Sequence, residues 1–381
     1  MKKIVRITTV PISLATLLQG QCKFMSQHYE VIAISSGGKL LEEVASNENI
    51  RVIPVEMTRK ITPLKDLAAL WKLYRILRKE KPYIVHSHTP KAGTLGMAAA
   101  FLAGVPHRLH TIAGLPLVEE KGFKRKILDL VEKMTYACTT KVYPNSIGLQ
   151  QIALENNFAQ QKKLTVLANG SSNGIDTGFF DPKKVSNAQR SRLKKELRLG
   201  DNDVAFVFVG RLVSDKGINE LIRAFDKLSG QLNNVKLLLV GSHEKHLDPL
   251  LPQTEKRIQA NPNILTVGWQ QDVRPYLAIS DCLVFPSYRE GFPNVVMQAG
   301  AMGLFGIVSN INGCNEIIQD GINGRFIPVK NEEAILSAMQ EFVGDFSNLK
   351  AGRDQYRQII KDRYEREFVW KEILKEYQSL Q

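Results

Sequence analysis

Cysteine is scarce in this sequence, and the four present, Cys22, Cys138, Cys282 and Cys314, stand far apart, with neither a close pair nor metal-ligand spacing. This excludes a disulfide framework and a zinc ribbon, and a reducing cytoplasm is the expected setting. Long apolar runs are also missing, since none approaches the roughly 18 residues of a membrane-spanning helix. The first residues, MKKIVRITTVPISLATLLQGQ, have a basic start, but 3–10 alternate as a strand does and no small-residue cleavage site follows. A first strand, not a signal peptide, is therefore expected. No G-x-G-x-x-G follows a strand with an acidic partner about 20 residues on, so a dinucleotide dehydrogenase is not expected. No basic motif interleaved with aromatics occurs either, and nucleic acid is not an expected partner. Asp201-Asn202-Asp203 spells a D-x-D, but it precedes its strand instead of ending it, which reads as a turn.

What is present is a folded chain of 381 residues, 44% hydrophobic and 23% charged, too long for one ordinary core. Strand-like and helix-like segments alternate almost throughout: KIVRITTV, YEVIAISS, IRVIPVEM, YIVHSH, RLHTIAG, KVYPNS and KLTVLANG in the first half, then VAFVFVGR, VKLLLVG, ILTVGW, CLVFP, GIVSN and RFIPV. Helical patterns lie between them, among them 64–81, 93–103, 123–137, 218–228 and 250–260. Such alternation predicts parallel sheets covered on both faces, in two doubly wound α/β domains in tandem. The Gly-, Asn- and Ser-rich run 169–181 marks the boundary, giving domains 1–182 and 183–360. A final helix, 361–381, with Trp370 on it, is expected to pack back on the first domain. The net charge is +13, and residues 60–141 hold 15 Lys and Arg against 6 Asp and Glu, so most of the excess is local. A phosphate-bearing substrate or an anionic membrane surface suits that region. The helix over 123–137, with Ile127, Leu128, Leu130, Val131 and Met134, reads first as packed in the core with Lys121, Lys124, Arg125 and Lys126 as its wet end; the alternative is that these four basic residues hold the chain to an anionic membrane in a salt-sensitive way.

The stretch 287–318, SYREGFPNVVMQAGAMGLFGIVSNINGCNEII, carries most of the chemistry. It follows a buried strand ending at Pro286, and Glu290-Gly291-Phe292-Pro293-Asn294 then makes a tight loop into a helix over 295–303. The first N–H groups of that helix suit an anion. Glu290 and Gln298, eight positions apart, can face one cleft. Earlier, Val209-Gly210-Arg211-Leu212-Val213-Ser214-Asp215-Lys216-Gly217 joins a strand to a helix: Gly210 lets the chain turn, and Arg211 and Lys216 can both reach a phosphate. Either loop alone could be solvated connection. Both from one sheet favour a ligand site at the carboxyl ends of its strands, in a crevice between two domains.

These residues resemble the GT-B glycosyltransferases of family 4, retaining enzymes that use nucleotide sugars. The resemblance is carried by VGRLVSDKG at 209–217, VGWQQDV at 267–273, FPSYREGFPNVVMQAGAMG at 285–303 and NGCNEIIQDGINGRFIP at 312–328. ANGSSNGIDTGFF at 168–180 looks like the interdomain segment of the capsule and exopolysaccharide subgroup. The resemblance implies two Rossmann-like domains, the first for the acceptor and the second for the donor. Arg211 and Lys216 would neutralise the donor diphosphate. Glu290 would meet the sugar hydroxyls, and the backbone of Gly291, Phe292, Pro293 and Asn294 the sugar and phosphate. Trp269 and Gln270 would hold the base, expected to be uracil, and Gln298 the ribose. Two cations and a helix start can stabilise the departing nucleoside diphosphate without a metal or other cofactor. The implied acceptor is a saccharide, expected on a lipid such as undecaprenyl diphosphate, and the implied place is the cytoplasm or the inner face of its membrane. Another GT-B activity, such as a UDP-sugar epimerase, or a non-catalytic nucleotide-sugar-binding subunit stays open.

Two positions depart from the family pattern. Gln298 stands where a second Glu usually accepts from ribose, which predicts an altered ribose contact, not lost binding. Ala113 stands where many relatives have the His of a T-x-H-G loop, so either His110, in RLHTIAG, is the stand-in, or the reaction proceeds without a protein base and the departing phosphate oxygen takes the acceptor proton, with His110 a structural histidine. Gly20, His88, His110 and Gly114 are the acceptor-side candidates. His86 and His88 in VHSHTPKAG read as cleft lining rather than a metal pair, since no third ligand is evident.

Overall fold

The computed structural model describes residues 1–58, 62–115, 117, 121–244 and 248–380, so Lys60, which opens the basic region, lies outside the described residues. The chain divides into two units, Met1–Gly174 with Arg366–Gln381, and Ile175–Glu365.

In the first unit the elements run β1 (Lys3–Ile7), α1 (Pro11–Leu17), α2 (Gln21–Met25), β2 (Glu30–Ser35), α3 (Lys39–Glu48), β3 (Arg51–Pro54), α4 (Pro63–Glu80), β4 (Ile84–Ser87), α5 (Pro90–Leu102), β5 (His107–Ile112), α6 (Gly122–Cys138), β6 (Lys141–Pro144) and α7 (Ile147–Glu155). The strands pair in parallel in the order β3-β2-β1-β4-β5-β6. Ile4, Val5 and Ile7 are fully buried. Ile4 faces a core with α1, α2 and α3, whereas Val5 and Ile7 face one with α4 and α5. That is the two-faced burial that makes parallel strands continuously apolar.

The second unit runs α8 (Asn187–Glu196), β7 (Val204–Val209), α9 (Ile218–Gln231), β8 (Val235–Val240), α10 (Pro252–Ala260), β9 (Ile264–Gly268), α11 (Arg274–Ala278), β10 (Cys282–Phe285), α12 (Asn294–Ala301), β11 (Phe305–Ser309), α13 (Cys314–Ile317), β12 (Gly324–Ile327), α14 (Glu332–Gly344), α15 (Phe346–Ala351) and α16 (Arg353–Tyr364). Its parallel order is β12-β11-β10-β7-β8-β9. Ile175 opens this unit by donating its N–H to the Tyr364 carbonyl at 2.8 Å, and Phe180 and Val185 join its core, so the second half of the Gly-, Asn- and Ser-rich run, expected in the first domain, already belongs here.

The last helix, α17 (Arg366–Ser379), belongs to the first unit. Val369, Ile373, Leu374 and Tyr377 are buried against α1, α2 and β2 residues. Trp370 lies against Phe24, ring centroids 5.4 Å apart, and its indole N–H donates to Asn173 Oδ1 at 2.6 Å.

Two expectations need correction. KLTVLANG is not a strand: Leu164 makes one bridge to Val142, and the chain then turns, with Ala168, Asn169 and Ser171 at positive φ. The Ser171 N–H goes to the Asn145 carbonyl instead, at 2.9 Å. The helix over 123–137 is not core-packed along its apolar positions. Leu128 packs on the core and Val131 is half-buried, but Phe123, Ile127, Leu130 and Met134 face outward.

Candidate functional site

In the second unit the strand order reverses between β7 and β10, the switch point where open α/β sheets bind ligands. The loop after β7 and the loop after β10 meet there. Gly217 makes this possible: it sits at φ +70, and a Cβ on it would come 2.1 Å from the Pro286 carbonyl oxygen. Only glycine allows that approach together with that backbone conformation. The short 3₁₀ turn before it, Ser214–Lys216, carries Lys216 toward the β10 loop. Its ammonium pairs with Glu290 Oε1 at 2.5 Å, with each side chain about one-sixth exposed. Thus the structure joins two of the residues singled out in sequence, although 74 positions separate them.

The Glu290 loop is held from several sides. Asn312 Nδ2 donates to the carbonyls of Glu290 at 2.6 Å and Gly291 at 3.2 Å. Phe292 and Pro293 are buried, with Phe292 edge-on to Tyr364, and Pro293 is the residue from which α12 starts. Tyr288 Oη donates to Glu220 Oε2 at 2.6 Å, and burial with that carboxylate raises its phenol. The helix starts at Asn294, and Gln298 lies one turn further on, half-buried. The first N–H groups of a helix lack intrahelical acceptors, and α12 begins directly after the Glu290 loop, with the Val296 N–H donating to the Pro293 carbonyl at 3.1 Å.

Arg211 follows Gly210 and is about half exposed, its guanidinium at 2.7 Å from Glu244 after β8. An exposed pair of this kind contributes little and is easily traded for a phosphate. Gly241 brings the two strand ends together, since its Cβ would lie 1.8 Å from the Gly210 carbonyl oxygen. Trp269 and Gln270 follow edge strand β9. Trp269 is 70% exposed, and Gln270 Nε2 is tied to the Val267 carbonyl at 2.7 Å. These two therefore stand apart from the Lys216–Glu290 pair on the same sheet.

In the first unit the switch point lies between β1 and β4. Thr9 and Thr89 meet there, hydroxyl to hydroxyl at 2.7 Å, and the Thr9 N–H donates to Thr89 Oγ1 at 3.0 Å. Below them is a buried polar cluster. The guanidinium of Arg6, 1% exposed, donates to the Tyr377 hydroxyl at 2.7 Å and to Gln21 Oε1. The Tyr377 hydroxyl also meets His86 Nδ1, whose Nε2 is 2.8 Å from Thr111 Oγ1. His88 is buried with both ring nitrogens lacking partners among the described residues, and it lines a cavity of about 20 Å³ with Asn145 and Ser172. Burial holds His86 and His88 well below their usual range, and lowers His110 to about 4. All three are neutral near pH 7.

His110 is 2.8 Å from Ser87 Oγ, lies over Tyr136 and leaves no room for a Cβ on Gly93, which would come 2.4 Å from its ring. That geometry supports the structural alternative for His110. Gly20 begins α2, and a Cβ there would come 2.7 Å from the Trp370 ring, so its placement is a packing one. Ala113 and Gly114 are half-exposed beyond β5. Among the described residues no group of three His, Cys, Asp or Glu side chains converges as a metal site.

Sequence reasoning missed Glu244, the support from Asn312, and Tyr377. Glu244 could have been suspected from its place after a strand-ending glycine. Tyr377 carried no local signal, because its partners lie 371 and 291 positions away.

Residues 22–170 match the family model of a glycosyl transferase 4-like domain, and 203–345 that of glycosyl transferases group 1. The capsular polysaccharide biosynthesis glycosyltransferase CapM of Staphylococcus aureus is 34% identical over 99% of this chain and 97% of its own. The chain belongs to the GT-B glycosyltransferases of family 4. A second relative, the UDP-Gal:alpha-D-GlcNAc-diphosphoundecaprenol alpha-1,3-galactosyltransferase of Escherichia coli, is 28% identical over 89% of each chain. Among solved structures, Anabaena HepE in complex with UDP has the same fold, with a TM-score of 0.82 over the whole of both chains at 16% identity. As a glycosyltransferase of this family, the chain is an enzyme whose second unit bears the ordered Lys216–Glu290 pair.

Proposed function

We propose that this glycosyltransferase moves a sugar from a UDP-sugar, with retention at the anomeric carbon, to a saccharide carried on undecaprenyl diphosphate during assembly of a bacterial surface polysaccharide. The observation that carries the reading is the Lys216–Glu290 pair at the switch point of the second sheet. The pair is suited to division of labour: Lys216 turns to the diphosphate, and Glu290 is released to accept from sugar hydroxyls. Arg211 exchanges Glu244 for the same diphosphate. The N-terminus of α12 adds partial positive charge where the leaving group gains negative charge, and no metal is needed for this. Trp269 and Gln270 take the base, and Gln298 accepts one ribose hydroxyl. With His110 buried and Ala113 without a proton to move, the departing phosphate oxygen takes the acceptor hydroxyl proton. The galactosyltransferase relative, whose acceptor is diphosphoundecaprenol-linked by name, supports the acceptor class and a place at the inner face of the cytoplasmic membrane.

The test pairs binding with turnover. UDP and UDP-sugars should raise the melting temperature more than GDP, ADP or CMP counterparts, by mass action on the folded state. Lys216→Ala should lose this shift and reduce transfer at least a hundredfold, against a product whose anomeric configuration NMR shows unchanged from the donor's. Equal stabilisation by all nucleotides would remove the UDP assignment. Donor isomerised in the absence of acceptor would replace transfer by epimerisation.

A further inference from the structure

Two consecutive carbonyls of the Glu290 loop are held by one side chain from another loop. Asn312 lies between β11 and α13, and its Nδ2 donates to the Glu290 carbonyl at 2.6 Å and to the Gly291 carbonyl at 3.2 Å. Both partners are acceptors, so the amide must present its nitrogen to them and not its oxygen. The next residue closes the same contact. Gly313 is at φ +78, and a Cβ on it would come 2.4 Å from the Gly291 carbonyl oxygen and 2.9 Å from Phe292 Cα. The β11–α13 loop therefore lies directly on the Glu290 loop.

On either side the chain is held by other means. Before Glu290, the Tyr288 N–H donates to the Asp215 carbonyl at 2.9 Å and the Ser287 hydroxyl to the Arg289 carbonyl at 3.1 Å. After it, the Phe292 ring packs edge-on to Tyr364. Between these anchors, the carbonyls of Glu290 and Gly291 have no donor other than Asn312 among the described residues. A planar trans peptide sets its C=O and its N–H in opposite directions. Holding those two carbonyls therefore also aims the N–H groups of Gly291 and Phe292, which share their planes, away from Asn312. Neither N–H has an acceptor among the described residues.

We propose that Asn312 is a positioning residue for sugar transfer: by fixing the carbonyls of Glu290 and Gly291, it sets the direction of the Gly291 and Phe292 N–H groups toward the donor and keeps Glu290 beside Lys216. This rests on the donor site of the proposed function, which it deepens. Backbone donors stabilise developing negative charge when their direction is set before the reaction. Affinity and turnover should therefore part company. Lys216 and Arg211 attract the diphosphate with or without Asn312, whereas departure of the nucleoside diphosphate needs the N–H groups already in place.

The test uses the full chain, with UDP as the binding probe and UDP-galactose and UDP-glucose as donors. Asn312→Ala should melt within about 5 °C of the parent, because the flanks of the loop are held separately. Its Kd for UDP should stay within about threefold, while kcat falls about thirtyfold or more. Asn312→Asp should be at least as impaired, since a carboxylate cannot donate and would face two carbonyl oxygens. Hydrogen exchange over 288–296 should rise in both variants even without nucleotide, and exchange in β7 should not. A merely structural asparagine would instead lower the melting temperature and leave kcat per folded site at the parent value. That result, parental turnover by Asn312→Asp, a Kd for UDP that rises as far as kcat falls, or unchanged exchange over 288–296 would each overturn the proposal. If Asn312→Asp turns over like the parent while Lys216→Ala does not, the positioning role falls and the proposed function stands. Faster exchange over 288–296 in the variants of a chain that UDP does not stabilise gives the reverse: Asn312 holds the loop and the UDP-sugar reading falls.

Discussion

Gly217 is a single residue through which the site depends on the backbone. Its φ of +70 already disfavours any side chain, and the Pro286 carbonyl leaves no space for one. Gly217→Ala should therefore lower stability by about 1–3 kcal/mol of local strain, and should separate Lys216 from Glu290. Calorimetry reads the first effect. Donor turnover that falls more than Kd rises reads the second. Gln298 makes the opposite kind of prediction. Its amide oxygen can accept one hydrogen bond, while a carboxylate accepts more strongly, so Gln298→Glu should leave donor affinity equal or better by titration calorimetry. A large loss would remove Gln298 from the ribose.

At the scale of elements, α17 is the last helix in sequence and among the most interlocked. Tyr377 serves two buried polar groups, Arg6 and His86, and Glu376 takes both Lys141, at 2.6 Å, and the Tyr143 hydroxyl, at 3.0 Å. Tyr377→Phe keeps the ring and leaves those groups short of a partner, so thermal unfolding should show a loss of about 1–3 kcal/mol. The element pattern itself was legible. Continuous apolar runs such as VAFVFV and VKLLLV could only be doubly covered strands, and glycines and prolines marked the turns. KLTVLANG misled because its apolar alternation was real but local, while Asn169-Gly170 and the Ser171–Asn145 bond governed the backbone. The α6 positions misled for a related reason: helical periodicity marks an apolar face without saying what lies against it. Arg211, Lys216 and Glu290 were legible because their loops follow recognisable strands. The polar cluster around Arg6 was not, since it needs strand β1, strand β4 and α17 to be brought together.

For the molecule as a whole, the two units differ in chemistry, and this gives them different responses. The buried histidines lie in the first unit. A histidine whose folded pKa is lowered binds its proton more readily when unfolded, so the stability of that unit is complete above about pH 6.5, the unfolded value. It is lost as pH falls from there toward about 4 for His110, and further for His86 and His88. Each should add about 1.4 kcal/mol per pH unit to the slope within its window. Hydrogen exchange should therefore accelerate in β4 and β5 on going from pH 7 to 5, after correction for intrinsic rates, more than in β7 and β10. A UDP-sugar should instead slow exchange around 210–217 and 286–298, and equal protection of both units would contradict a donor site confined to the second.

The helix α17 also sets an order of events during synthesis. The ribosome completes residues 1–174 and then the whole of the second unit before it releases the segment that closes the first. Until then Arg6 has Gln21 but not Tyr377, and the apolar floor that Val369, Ile373 and Leu380 cover is bare. The nascent first unit must therefore wait, unfinished, through nearly two hundred codons, and a chain interrupted anywhere before α17 would hold it in the state that chaperones and proteases recognise.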